Sequence, residues 1–153
     1  MVTVGKENKQ DVGFLPKDEL FMIEGDAKRV EDTLRSLARR MSQDAAVLVI
    51  DGAGMFDDHI PRDIKNRIHV VTPHSPENLI GLLGDLDQVI PLNKIGGLVM
   101  TPLPAEGDWE SVQLMDDVAR LTKSHRLCTV IGSIGESTTT QVTYGMPTPR
   151  YRV

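Results

Sequence analysis

The chain has little cysteine, few aromatic residues and no long apolar run. Cys128 is the only cysteine, so an intramolecular disulfide and a cysteine-rich zinc site are both excluded, as expected for a reducing compartment. Aromatic residues make up 4% of the chain, which predicts a core of aliphatic side chains. No run approaches the roughly 20 apolar residues that span a bilayer, and the N-terminal segment lacks the apolar centre of a secretory signal. We therefore expect a cytoplasmic protein without a membrane segment.

The chain also lacks an excess of basic residues. It carries 17 Lys and Arg against 22 Asp and Glu, a formal net charge of −5. Nucleic acids are bound chiefly by neutralising their phosphates, so this charge balance does not favour DNA as a partner. We expect any DNA contact to be weak or indirect.

The length and composition fit one folded domain preceded by a flexible segment. A chain of 153 residues suits a single compact domain. Residues 1–13 are polar and lack apolar periodicity, which predicts a flexible N-terminal lead, and residues 14–153 form the predicted domain. Its composition, 40% hydrophobic and 25% charged, is ordinary for a globular protein.

Three main helices are predicted from apolar spacing and from start signals. The first covers about residues 28–41, with Asp26 as its cap. The second begins in HSPENLIGLLGDL, where Ser75 is a favourable N-cap and a leucine stripe follows. The third follows a cap at Asp108 and ends near His125, whose position in the last turn suits the helix dipole.

Aliphatic runs between these helices predict a mostly parallel sheet. AAVLVID, RIHVVTP, KIGGLVM and LCTVIGS are typical of strands, and near-continuous aliphatic character is typical of parallel strands covered on both faces. The predicted order is β, α, β, a short helix at IPRDIKN, then β, α, β, α, β, β, β. This alternation predicts a three-layer α/β domain with helices on both faces of the sheet. Two short antiparallel strands are predicted in the tail, TTTQVTYGMPTPRYRV.

The span after the first strand has the frame of a phosphate-binding loop but lacks its functional residues. A P-loop reads GxxxxGK[ST], because backbone amides wrap the phosphates while the Lys and the hydroxyl reach the phosphate and its magnesium. The matching residues here are Gly25, Asp26, Ala27, Lys28, Arg29, Val30, Glu31 and Asp32. The last three occupy the second glycine, lysine and hydroxyl positions, so tight ATP binding in the usual mode is not expected.

Taken together, the ordered blocks resemble the core ATPase domain of the RecA/RadA recombinase and KaiC-like superfamily, over about residues 14–153. FLPKDELFMIEG resembles the segment that leads into the Walker A loop, and VLVIDGAGMF the strand that carries the catalytic glutamate. GGLVMTPLP resembles the Walker B strand, and DDVARLTKSHRLCTVIGSI the helix and strand before the polar sensor. The resemblance implies a RecA-like P-loop NTPase fold.

Three further positions depart from this family pattern. The catalytic glutamate falls on Ala53, the Walker B aspartate on Thr101 and the sensor glutamine on Ser133. Phosphoryl transfer needs a phosphate cradle, countercharge, a carboxylate in the metal shell and a group that positions water. The resemblance therefore implies a pseudo-ATPase, an inactive paralogue with no catalytic residue and no cofactor. Its expected partner is a protein, either an active RecA-family ATPase or a second copy of the chain, in recombination, repair or signalling.

Two alternatives rest on other residues. The first is an enzyme or a metal- or ligand-binding protein that uses the strand-end loop at residues 51–59. Its oxygen and imidazole donors are Asp51, Asp57, Asp58 and His59.

The second alternative is a weak DNA-binding module that uses the one dense basic cluster. This basic cluster consists of Lys28, Arg29, Arg35, Arg39 and Arg40. A solvated helix face paired with Glu31 and Asp32 explains the same residues without a ligand. Cys128, within an aliphatic strand, is predicted to be an inert core residue.

Overall fold

The computed structural model describes residues 17–56, 67–102, 112–134, 142–143, 146–147 and 149–153. Its elements are β1 (Glu19–Gly25), α1 (Ala27–Met41), β2 (Ala46–Ile50), β3 (Ile68–Val71), α2 (Pro76–Leu92), β4 (Ile95–Met100), α3 (Val112–Ser124), β5 (Cys128–Ile134), β6 (Val142–Thr143), β7 (Met146–Pro147) and β8 (Arg150–Arg152). The predicted alternation of strands and helices is confirmed. The predicted flexible lead, the short helix at IPRDIKN and the cap at Asp108 lie outside the described residues.

Six strands form one sheet in the order β3-β2-β4-β5-β1-β8, and every neighbouring pair in it is parallel. The prediction of a mostly parallel sheet is confirmed.

The tail differs from the prediction, because it holds three strands instead of two. β6 and β7 pair antiparallel as predicted, but β8 joins the sheet parallel to β1. Strand-forming composition does not encode strand direction, which is set here by where the chain re-enters the sheet.

Alternate residues of the strands belong to two separate hydrophobic clusters. Val47 and Val49 of β2 pack with α1, in a cluster that includes Val30, Leu34 and Leu37. The intervening β2 residues, together with alternate residues of the other strands, pack with leucines of α2 and with α3. Since successive side chains of a strand point to opposite sides, α1 and the pair α2 and α3 pack against opposite sets of strand residues.

The start of each of the first two helices is stabilised by the predicted cap. The Asp26 side chain accepts a hydrogen bond from the Arg29 N–H at 2.9 Å, and Ser75 Oγ accepts one from the Asn78 N–H at 3.0 Å. Both bonds satisfy N–H groups that have no partner within the helix. The sequence pattern therefore located these helix starts correctly.

A glycine in β5 allows α1 to approach the sheet closely. A Cβ atom built on Gly132 would lie 2.7 Å from Leu34 Cδ1 and 3.0 Å from Val30 Cγ1. Both distances are shorter than ordinary van der Waals contact. The position of α1, and of the turn from which it starts, therefore depends on the absence of a side chain at residue 132.

Candidate functional site at the carboxyl ends of the strands

The turn between β1 and α1 consists of a single residue. β1 ends at Gly25 and α1 begins at Ala27, so only Asp26 lies between them. The Arg29 N–H donates to the Asp26 carboxylate at 2.9 Å, and the Val30 N–H donates to the Asp26 carbonyl oxygen at 2.9 Å. A phosphate cradle needs such N–H groups to point at the ligand. Here these two are used by the start of the helix.

The three signature positions of a P-loop are helical and have partners within the protein. Val30 is fully buried in the core between α1 and the sheet. Glu31 forms an ion pair with Arg35, with Oε2 2.6 Å from Nη2, and Asp32 Oδ1 lies 3.4 Å from Lys28 Nζ. The turn therefore offers carboxylates where phosphate binding needs a lysine and a hydroxyl.

β8 lies against the end of β1 beside this turn. The Val153 N–H donates to the Glu24 carbonyl oxygen at 2.7 Å, and a Cβ on Gly25 would lie 2.6 Å from the Val153 carbonyl oxygen. The buried side chain of Glu24 also forms an ion pair with Arg150. On the other side of β1, Glu24 is in register with Ser133, which the resemblance aligns with a sensor glutamine. The close approach of Val153 to β1 therefore requires a residue without a side chain at position 25.

The loop after β2, residues 51–56, is fixed by a buried carboxylate. Asp51 is fully buried, and its two oxygens accept hydrogen bonds from the N–H groups of Met55 and Phe56, each at 2.9 Å. Arg35 Nε donates to the Met55 carbonyl oxygen at 2.8 Å, which ties the loop to α1. Asp51 therefore has a structural role that the sequence alone did not reveal, because its partners are backbone groups of a non-repetitive loop.

Ala53 and Thr101, which the resemblance aligns with the catalytic glutamate and the Walker B aspartate, contact each other. The Ala53 N–H donates to Thr101 Oγ1 at 3.1 Å, and the Thr101 N–H donates to the Ile50 carbonyl oxygen at 3.1 Å. Thr101 is buried, and Ala53 is exposed. Neither side chain can supply the negative charge that a magnesium shell or a general base requires.

Of the four proposed metal ligands, the structure describes only Asp51. Asp57, Asp58 and His59 lie outside the described residues. In the described part of the chain, no group of three or more His, Cys, Asp or Glu residues is arranged to share a metal ion. The hydrogen bonds of Asp51 account for its burial without a metal.

The basic cluster is largely paired with acidic side chains of α1 and with its cap, Asp26. Lys28 pairs with Asp32, Arg29 Nε lies 3.5 Å from Asp26 Oδ2, and Arg35 pairs with Glu31. Arg39 and Arg40, in the last turn of α1, also have interaction partners. The pairing with Glu31 and Asp32 expected of a solvated helix face is thus present. It reduces the positive field that DNA binding would use.

Cys128 is buried at the start of β5, as predicted for a core residue. Burial, together with the nearby negative charge of Glu19, raises the pKa of its thiol to about 12. The thiolate is the reactive form of cysteine, so this side chain is unsuited to nucleophilic catalysis at neutral pH.

His125 has a specific partner that the sequence did not indicate. It follows the last residue of α3, and its Nε2 lies 2.9 Å from Asp87 Oδ1 on α2. Arg120 Nη1 lies 3.1 Å from the other oxygen of Asp87. Hydrogen bonds from His125 first, and then from Arg120, lower the pKa of Asp87. The predicted helix-dipole role of His125 did not include this pair, because the pair depends on how two helices pack.

These features define an α/β protein with a six-stranded parallel sheet, compatible with a Rossmann-like or RecA-like arrangement. No protein-family model matches the chain, and no curated protein matches it in sequence. Among the described helices, none is both long enough and apolar enough to span a membrane.

Proposed function

We propose that the chain is a three-layer RecA-like domain of the P-loop NTPase type that has lost ATP binding and hydrolysis and acts by binding another protein. One observation carries this proposal. α1 starts directly after Asp26, so residues 27–32 are helical instead of forming a phosphate-binding loop. The packing of α1 and of the pair α2 and α3 against opposite strand residues supports the three-layer arrangement.

The charges at the turn also support loss of nucleotide binding. Asp26, Glu31 and Asp32 all lie within the span that would surround a polyphosphate. Each of these carboxylates forms an ion pair with a basic side chain of α1, so the turn has no excess of positive charge to attract phosphate. A P-loop would instead contribute attraction from its lysine, its amides and a magnesium ion. The turn therefore lacks the electrostatic attraction that binds a triphosphate in a P-loop.

The loop after β2 supports loss of hydrolysis. An active enzyme would use this loop and the end of β4 to hold a metal shell and to position water. Here Asp51, Arg35 and Thr101 use their polar groups to hold the loop in place. A loop fixed by the protein's own side chains needs no nucleotide to order it.

Exposed apolar side chains near the turn support a protein partner. Ile134 at the end of β5 is 51% exposed, and Tyr151 in β8 is 55% exposed. Ile134 is in register with Gly25 and Tyr151 with Ile23, so both side chains lie towards the end of the sheet that carries the turn. Apolar side chains at this end favour a protein surface over a polyphosphate. The proposed partner is an active RecA-family ATPase or a second copy of the chain, in recombination, repair or signalling.

The protein-binding proposal can be tested by affinity capture from extract of the native cells, with ATP present or removed, and by light scattering of the purified chain. We expect a specific ATPase, or a dimer, whose binding is weakened at least several-fold by Ile134→Ser. Leu92→Ser is the matched control, since Leu92 is exposed at the far end of α2. A monomer that captures no ATPase, or two variants that bind equally well, would contradict the proposed surface.

A further inference from the structure

We draw no further inference here: the strongest candidate, the cavity of about 320 Å³ at the amino ends of β1, β4 and β5, is lined by the basic residues Lys17 and Arg126 and by the acidic residue Asp44 alike, and nothing among the described residues selects a class of ligand for it.

Discussion

At the scale of single residues, Asp51 holds the loop after β2 in place. Its carboxylate accepts two backbone hydrogen bonds in a fully buried position. Hydrogen bonds to a charged group contribute about 1.5–3 kcal/mol each, so loss of both in Asp51→Ala should lower the free energy of unfolding by about 3–6 kcal/mol. Urea denaturation measures this change. Asp85→Ala, at an exposed position of α2, is the control and should stay within about 0.5 kcal/mol of wild type.

The same variant separates the structural role of Asp51 from the metal-site alternative. The structural role predicts a loss of stability whether or not divalent metal is present. If Asp51→Ala were as stable as wild type but lost a metal ion that co-purifies with the wild-type protein, Asp51 would be a ligand and the structural account would be wrong.

Asp87 gives the protein a small dependence of stability on pH. Its folded-state pKa is lowered from 3.8, so the contacts with His125 and Arg120 contribute stability above that pH. The contribution is lost as the pH falls through the lower, folded-state pKa. Because the Asp87 side chain is half exposed, Asp87→Asn should cost less than about 1 kcal/mol at neutral pH.

Urea denaturation of wild type and Asp87→Asn across an acid pH series checks this prediction. The difference in the free energy of unfolding between the two proteins should shrink towards zero as the pH falls below 3.8 and through the lowered pKa of Asp87. Asp85→Asn, on the same helix, controls for the removal of a surface carboxylate. A difference that grew as the pH fell below 3.8 would have the wrong sign for a lowered pKa of Asp87.

The sequence predicts a residue's role when the partners of that residue lie close to it along the chain. The caps Asp26 and Ser75 are predictable because a capping side chain accepts a hydrogen bond from an N–H only three residues along the chain. His125 and Asp87 are 38 residues apart, and no local pattern reports how α2 and α3 bring them together. The sequence shows Asp51 as a polar residue at a strand end, but its hydrogen-bond partners depend on the shape of the loop.

Between elements, the contact of α1 with β5 sets the position of the β1–α1 turn. Gly132→Ala would place a Cβ against Leu34 and Val30 and should lower the free energy of unfolding by about 1–3 kcal/mol, as overpacking does. Gly84→Ala is the matched control, because no atom lies within 4 Å of a Cβ built there and the residue is within α2. It should raise stability by about 1 kcal/mol, since alanine favours a helix over glycine.

Thermal or urea denaturation of both alanine variants gives the comparison. If the two substitutions changed the free energy of unfolding equally, backbone propensity alone would explain both changes. In that case α1 would not approach β5 as closely as described.

The elements themselves were largely predictable, because apolar periodicity distinguishes a helix from a strand. Leu79, Leu83 and Leu86 are all buried on α2, as their spacing indicates. The direction of β8 was not predictable, because Arg150, Tyr151 and Arg152 would suit either a parallel or an antiparallel edge strand. The sheet order brings β8 next to β1, and this placement depends on the whole chain.

In the whole molecule, the proposal that the chain has no phosphate cradle rests on the backbone as well as on the side chains. The triple variant Val30→Gly, Glu31→Lys and Asp32→Thr restores the letters of a P-loop. It should nevertheless fail to bind ATP, because α1 would still begin directly after Asp26. It should also lose about 3 kcal/mol of stability, from removal of a buried valine and placement of glycine within a helix.

The double variant Glu31→Lys and Asp32→Thr keeps the buried valine and so isolates the effect of charge. It should remain folded and should also fail to bind ATP. Micromolar binding by this double variant would show that the carboxylates alone prevent binding and that the early helix start is not the cause.

The central claim is that the β1–α1 turn cannot hold a triphosphate, and titration of the wild-type chain with ATP and magnesium by isothermal calorimetry tests it most directly. The account predicts no saturable heat at millimolar nucleotide. A saturable isotherm with a micromolar Kd, accompanied by amide chemical-shift changes confined to residues 25–32, would contradict it.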